Sequence, residues 1–349
     1  MNLEYLRFKD VDLHDVFFDS LKKDYAEFSA WFIKKSDDKA YVFKNEDGSI
    51  DGFLYLKVER GPLNDIKPAL PADIRLKIGT FKINAHGTRM GERFVKKALD
   101  HALYENVNEV YMTIFPNHGS LIDAFGKYGF LPLAEKLTNN GTELVLIKKM
   151  GSNPEGSATA NFPYINANNR KFILALHPEW HSRLLPDSIL NNEDPGAIVK
   201  DISHTNSIHK IYLTKMNGTD QLHNGDILVV YRTTDGQGPA HYRSVATSIC
   251  VVEDVRNINA FPDEKSFLKY SSSYSIFSDK ELRTFYAYKK YPTIIKFSYN
   301  LALSKRVTRG QMVDDLGIDA PYWGFFQLTD TQFNGILKKG KVNESLIVY

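Results

Sequence analysis

Apolar and polar residues alternate along the first 150 positions in a way that predicts short strands broken by helices. Leu3–Asp10 reads as an opening strand. Asp15–Lys23, with Val16, Phe17 and Leu21, and Tyr25–Lys35, with Phe28, Trp31 and Phe32, carry apolar residues at helical spacing. Ala40–Lys44 and Ile50–Glu59 flank the turn-rich stretch 45–49, which predicts a hairpin. Ile74–Asn84 alternates as a central strand does. Thr88–Glu105 repeats Met90, Phe94, Ala98 and Ala102 every fourth residue, which gives a helix one packed face. Glu109–Phe115 predicts a strand, Ser120–Tyr128 a short helix and Thr142–Lys148 a last strand. The order β-α-α-β-β-β-α-β-α-β places this half in the α/β or α+β class.

The pattern stops at Gly151–Asn161, a run of small and polar residues with one proline, which predicts a linker between a domain at 1–150 and another at 162–349. Beyond it, strands dominate: Ser207–Leu213, Asp226–Tyr231, Arg243–Val252 and Thr293–Leu303. Ser278-Asp279-Lys280-Glu281 and Thr329-Asp330-Thr331-Gln332 are capping boxes that start helices. Several strands with few helices suggest a small, partly open β-barrel.

Composition narrows the classes. The length of 349 residues fits two domains at about 150 residues each. The lone cysteine, Cys250, excludes a disulfide framework or a cysteine-based zinc site. His177-Pro178-Glu179-Trp180-His181 places proline where a His-Glu-x-x-His helix needs glutamate, so no metal is expected. No apolar run approaches the ~20 residues of a membrane helix, and Met1–Asp10 lacks a signal-peptide pattern, so a cytoplasmic protein with no membrane partner is expected. The first 150 residues hold 22 basic and 22 acidic side chains; out of 44 and 42 in all, the rest hold 22 and 20. A net charge of +2 leaves room for a nucleic-acid partner only at a local pocket.

Candidate chemistry appears where the long strand meets the long helix, at Ile83-Asn84-Ala85-His86-Gly87-Thr88-Arg89-Met90-Gly91-Glu92. A strand that enters a helix through a glycine-containing turn offers unpaired N–H groups and the helix dipole to a phosphate, and Arg89 adds a cation. Neither a Walker loop nor a dinucleotide fingerprint fits the spacing. With its surroundings, this junction resembles the GNAT N-acetyltransferases, whose pattern Arg/Gln-x-x-Gly-x-Gly/Ala falls on His86, Arg89 and Gly91 and keeps only the last glycine. Asn117–Phe130 is similar to that family's fourth helix with its closing Gly129-Phe130 pair. The resemblance implies a GNAT-like mixed sheet with helices on both faces and acetyl-CoA as co-substrate. It places the cofactor against Phe81, Lys82, Ile83, His86, Gly87, Thr88, Arg89, Met90, Gly91, Glu92 and Phe125. It also implies attack of an amine on the thioester. Phe125 stands where many relatives carry an acid tyrosine, which leaves Tyr128 nearby, although three residues of helix turn it about sixty degrees away. Glu59, His118 and Glu92 are the candidate bases.

In the second half, Asn224-Gly225-Asp226-Ile227 and the run Tyr242–Val252 resemble the PUA-like superfamily, with its ASCH and EVE domains, though without the ASCH pattern Gly-x-Lys-x-x-Glu-x-Arg. That resemblance implies an RNA- or nucleobase-binding barrel mouth. Tyr231, Arg232, Tyr242, Arg243 and Trp323 supply the aromatic faces and cations such binding uses, and the same residues suit a hydrophobic core. The combined expectation is an acetyl-CoA-dependent N-acetyltransferase whose second domain recruits RNA or a nucleoprotein, as in toxin-type or modification acetyltransferases. A non-catalytic nucleic-acid or modified-base reader and a small-molecule acetyltransferase remain alternatives.

Overall fold

The computed structural model describes residues 2–45, 47–84, 86–151, 153, 156–188, 190 and 203–349. Met1, Glu46 of the expected hairpin turn, Ala85 of the strand–helix junction and positions 152, 154 and 155 of the expected linker lie outside the described residues. The chain divides into two compact units, 1–151 and 152–349.

The first unit is a seven-stranded mixed sheet. Its strands are β1 (Asn2–Arg7), β2 (Lys39–Lys44), β3 (Ile50–Leu63), β4 (Leu70–Ile83), β5 (Glu109–Ile114), β6 (Leu131–Thr138) and β7 (Gly141–Lys149), in the spatial order β1-β2-β3-β4-β5-β7-β6. The turn that leads into helix α1 (Asp19–Asp24) buries Phe18, and helix α2 (Phe28–Lys34) buries Phe28 and Phe32, against Phe53 and Tyr55 of β3. Helix α3 (Met90–Tyr104) packs on the opposite face, where a side chain at Gly52 would stand 2.7 Å from the Phe94 ring. Phe53 and Gly52 are sequence neighbours, so the pleat alone sends α2 and α3 to opposite faces. Helix α4 (Gly119–Lys127) follows β5 and buries Phe125 against Phe81 and Phe130, at ring separations of 5.0 and 4.9 Å.

Strand β6 was not expected. Its apolar residues Leu131, Leu133 and Leu137 are exposed on an edge strand, so the core-facing period that marks a buried strand is missing. The β3–β4 hairpin also runs longer than its expected strands, with pairing from Gly52–Ile83 out to Leu63–Leu70. Tyr55 pairs with Thr80 and Leu56 with Ile78, which leaves Gly79 as the extra residue of a bulge. A Cβ there would lie 2.6 Å from Tyr55 Cδ1, so the bulge requires glycine.

The second unit holds a six-stranded sheet. Its strands are β9 (Lys171–Leu176), β10 (His209–Thr214), β11 (Ile227–Arg232), β12 (Val245–Asn257), β13 (Thr293–Thr308) and β14 (Phe325–Leu328), in the order β10-β13-β12-β11-β9-β14. Only β9 and β11 run parallel. A parallel pair, β8 (Ile165–Asn166) with β15 (Ile347–Val348), stands apart. Among the described residues no ladder joins β10 to β14, so the expected barrel is an open sheet here. Three breaks of register between β12 and β13 bend it without closing it. One face buries Leu174, Leu228, Val252 and Phe297, the other Ile211, Phe267, Leu282 and Ile294. The expected linker is partly built: Ser157 caps the short helix α5 (Ala158–Asn161), and the Asn161 amide donates to the Asn153 and Gly156 carbonyls at 2.8 and 2.9 Å. No helix among the described residues is long and apolar enough to cross a membrane.

Candidate active site

Strands β4 and β5 pair in parallel only from Arg75–Glu109 to Ile78–Met112. Beyond that, β4 continues to Ile83 and β5 to Ile114 with no ladder between them. The bulge at Gly79 sits where they part, and its extra residue turns β4 away from its neighbour. A cleft of about 840 Å³ fills the splay. One arm lies beside residues 80–83, Arg89, Gly91 and Glu92 at the start of α3, and His118 and Leu121 at the start of α4. The other lies beneath the α1–α2 turn, at Tyr25, Glu27 and Trp31, and against Thr138, Asn140 and Glu143 of the β6–β7 hairpin.

The first arm meets a helix N-terminus. Gly87 and Arg89 both adopt left-handed backbone, with φ of 76° and 58°. For Arg89, the residue before α3, that conformation costs roughly 1–2 kcal/mol relative to glycine. Its guanidinium is anchored to Glu92 Oε1 at 2.8 Å. Gly91, in the first turn, keeps the helix start bare beside the Ile83 methyl, and α3 directs its dipole into the cleft wall. The sheet pleat assigns the remaining β4 side chains. Phe81 packs on Phe94 and Phe125, whereas the Lys82 ammonium donates to the Phe17 carbonyl and the Ser20 hydroxyl on the α1 face. Burial holds Lys82 below its usual range.

Of the cofactor contacts implied by the acetyltransferase resemblance, Phe81, Lys82, Ile83, Arg89, Gly91, Glu92 and Phe125 line the cleft. His86, Gly87, Thr88 and Met90 do not. His86 turns to the buried Asp51, with Nε2 2.9 Å from Oδ2, and Met90 is core. Among the acid–base candidates, His118 and Tyr128 line the cleft. Tyr128 closes α4, is buried and lines the cleft, three residues of helix on from Phe125. Glu59 stands outside the cleft, in a separate polar recess with Lys57, Arg60 and Arg75. It accepts from Lys57 at 2.8 Å and from the Tyr111 hydroxyl. Burial pushes its pKa up, but those bonds and the Lys77 charge outweigh it and hold the carboxyl below its usual range. Glu92 is committed to Arg89.

Glu143 escaped the sequence reading. It is 4% exposed, lines the second arm, and accepts a hydrogen bond from the Tyr25 hydroxyl at 2.8 Å. The signal was present: Glu143 is in phase with the core residues Val145 and Ile147 of β7, so the alternation places a carboxylate on a buried face. Lys77 also lines the cleft, and burial lowers its pKa.

In the second unit the five expected nucleic-acid contacts do not form one platform. Tyr231 and Arg232 are buried at 2% and 4% exposure. Trp323 packs on Tyr231 at 5.2 Å and on Phe326 at 5.5 Å, with the Arg309 guanidinium over its ring at 4.6 Å. Tyr242 and Arg243 lie in a short helix, Ala240–Arg243, rather than on a strand, because Pro239 sets the backbone for a helical turn. Arg243 forms a fork to Asp235, and of the five only Tyr242 presents an exposed large ring. His181 is buried on α6 (Pro178–Leu184), its Nε2 2.7 Å from the Thr247 hydroxyl. Burial, and then the Arg232 and Arg306 charges, push its pKa down to about 3. No group of three metal-ligating side chains occurs among the described residues.

No family model matches the sequence, and no curated relative matches it. Among solved structures, a chain of the NatC complex bound to Gag peptide and CoA is 16% identical over 43% of this chain and 100% of its own, with a TM-score of 0.30. Ard1 from Thermoplasma volcanium is 16% identical over 43% and 98%, with a TM-score of 0.33. A ZmASCH variant from Zymomonas mobilis is 8% identical over 48% and 94%, with a TM-score of 0.31. At such TM-scores these likenesses establish neither a fold nor an activity for this chain.

Proposed function

We propose that the first unit is an acetyl-CoA-dependent N-acetyltransferase. The observation that carries this reading is the splay of β4 from β5 at the Gly79 bulge, which opens a two-armed cleft beside the N-terminus of a fifteen-residue helix. An acyl-CoA needs an anion site joined to a narrow channel, with backbone donors for its amide-bearing arm and for the thioester oxygen. Residues 79–83 of β4 have no β5 partner, so the backbone groups that β3 does not take suit that arm and polarise the carbonyl where charge develops. The first turn of α3 and Arg89 suit the pyrophosphate. The second arm suits an acceptor amine. Tyr128, at the cleft wall, is the nearest counterpart of the absent acid tyrosine, and its phenol is a proton source for the leaving thiolate.

The second unit serves in this reading to recruit RNA or a nucleoprotein, and Tyr242 is the exposed ring on which that role rests. Calorimetric titration of the full chain with acetyl-CoA, followed by thiol release with added amines, peptides or tRNA, tests both parts. Saturable binding with thiol release is the expected result. An absence of acetyl-CoA binding overturns the assignment. Binding without thiol release favours a non-catalytic reader. Tyr242→Ala must weaken tRNA retention, or the recruitment role falls.

A further inference from the structure

Resting on that reading, we propose that Glu143 takes the proton of the acceptor nitrogen, and that the acceptor is a slender cationic primary amine. The second arm is built around this carboxylate. Tyr25 donates to Oε1, and Oε2 makes no hydrogen bond among the described residues. Lys136 lies directly opposite Glu143 in the β6–β7 ladder, yet its ammonium is held by Asp65 at 2.6 Å, so Glu143 has no ion-pair partner there. Of the other cleft-lining groups, Glu92 is committed to Arg89 and Lys82 to the α1 segment, and His118 stands at the start of α4. Tyr25 is held protonated, because burial and the bond to Glu143 raise its phenol well above the usual range.

The mouth decides the acceptor. Asp24 and Glu27 line it and are exposed. Glu27 accepts two bonds from the Asn140 amide, at 3.0 and 3.1 Å. With Tyr25–Glu143 this makes two links from the α1–α2 turn across to the β6–β7 hairpin, and Tyr25 is further braced by stacking on Phe115 at 5.3 Å. The opening is therefore bridged twice and carries two exposed carboxylates. It admits an extended cation and disfavours a carboxylate-bearing amine.

An ammonium has no lone pair to attack with. One proton passes to Glu143 Oε2; the nitrogen then bonds to the thioester carbonyl carbon. Collapse of the adduct breaks the C–S bond; the leaving sulfur takes the Tyr128 phenol proton, and the second nitrogen proton restores the phenol. The products are the amide, the CoA thiol and one proton, which Glu143 returns to water.

Thiol release from acetyl-CoA with putrescine and with β-alanine tests this on the full chain, alongside CoA titration of every variant. Wild type should use putrescine about 10-fold or more better in kcat/KM than β-alanine. Glu143→Gln should bind CoA as wild type does and lose about 100-fold or more in transfer. Activity within threefold of wild type, or no preference for putrescine, overturns the proposal. So does a wild type that binds acetyl-CoA yet acetylates neither probe; failure to bind acetyl-CoA instead removes the parent reading. If Glu143→Gln misfolds, the double variant Asp24→Asn, Glu27→Gln decides: the putrescine preference must fall, and an unchanged preference overturns the proposal.

Discussion

Replacing Gly91 by aspartate should move stability and CoA binding in opposite directions. Gly91 is the second residue of α3, and a Cβ there meets only the Ile83 Cδ1 atom, at 3.3 Å, the free end of a side chain that can shift by tenths of an ångström. Removing a helical glycine recovers a few tenths of a kcal/mol, and an acidic side chain in the first turn adds about 0.3–1 kcal/mol through the helix dipole. The folded protein should therefore be no less stable, and slightly more so. Binding is another matter. A carboxylate about 4 Å from a phosphate interacts with each unit charge by about 1 kcal/mol in bulk water and about 4 kcal/mol at a protein surface. Two pyrophosphate charges, partly screened, give a loss of about 2–4 kcal/mol, or roughly 30- to 1,000-fold in Kd. Calorimetric CoA titration at low and high salt, with a thermal melt of each protein, measures both effects. Gly91→Ala is the uncharged control, with a raised Tm and a much smaller loss of affinity. CoA binding to Gly91→Asp within threefold of wild type would refute the phosphate assignment. Equal losses for alanine and aspartate would show the effect to be steric.

Three further outcomes follow from burial. Lys148 lies behind the cleft with its ammonium on the Tyr128 carbonyl at 2.7 Å, and burial lowers its pKa to about 8. From pH 8 to about 10.4 the unfolded chain holds a proton that the folded one lacks, so folding gains about 3 kcal/mol as pH rises; urea melts of Lys148→Met should lack that rise. His181 works in the opposite range: as pH falls from 6.5 towards 3 the unfolded chain takes up a proton that the folded one refuses, at a cost of up to about 5 kcal/mol. The acid-unfolding midpoint of His181→Gln should consequently lie at lower pH, and an unchanged midpoint would contradict a neutral buried imidazole. Phe125→Ala removes a fully buried ring from between Phe81 and Phe130 and should cost about 3–5 kcal/mol, read as a fall in Tm; a loss under 1 kcal/mol would mean that the ring is not core.

Local pattern was enough for the order of most elements. Amphipathic spacing marked α3, and the Ser278 and Thr329 capping boxes mark helices that begin where those residues stand. The same pattern was silent on β6, whose leucines face outward, and misleading at Tyr242 and Arg243, where β-rich composition hid a turn of helix behind Pro239. These are the places where exposure or a single proline overrides periodicity. The junction at 83–92 could be read as an anion site because a helix start and its glycines are contiguous in the chain.

The sequence by itself determined two units, their main strands and a glycine-bearing strand–helix junction, since each is written in neighbouring residues. Tertiary structure alone decided which side chains share a cleft. Whether β4 leaves β5 depends on one bulge residue held against Tyr55, a contact 24 positions away in the chain. Glu143 reaches Tyr25 across 118 positions, and Glu59, a candidate base by sequence, is drawn off by Lys57 and Tyr111. A carboxylate's role is set by its partners and its burial, and both come from segments that only folding brings together.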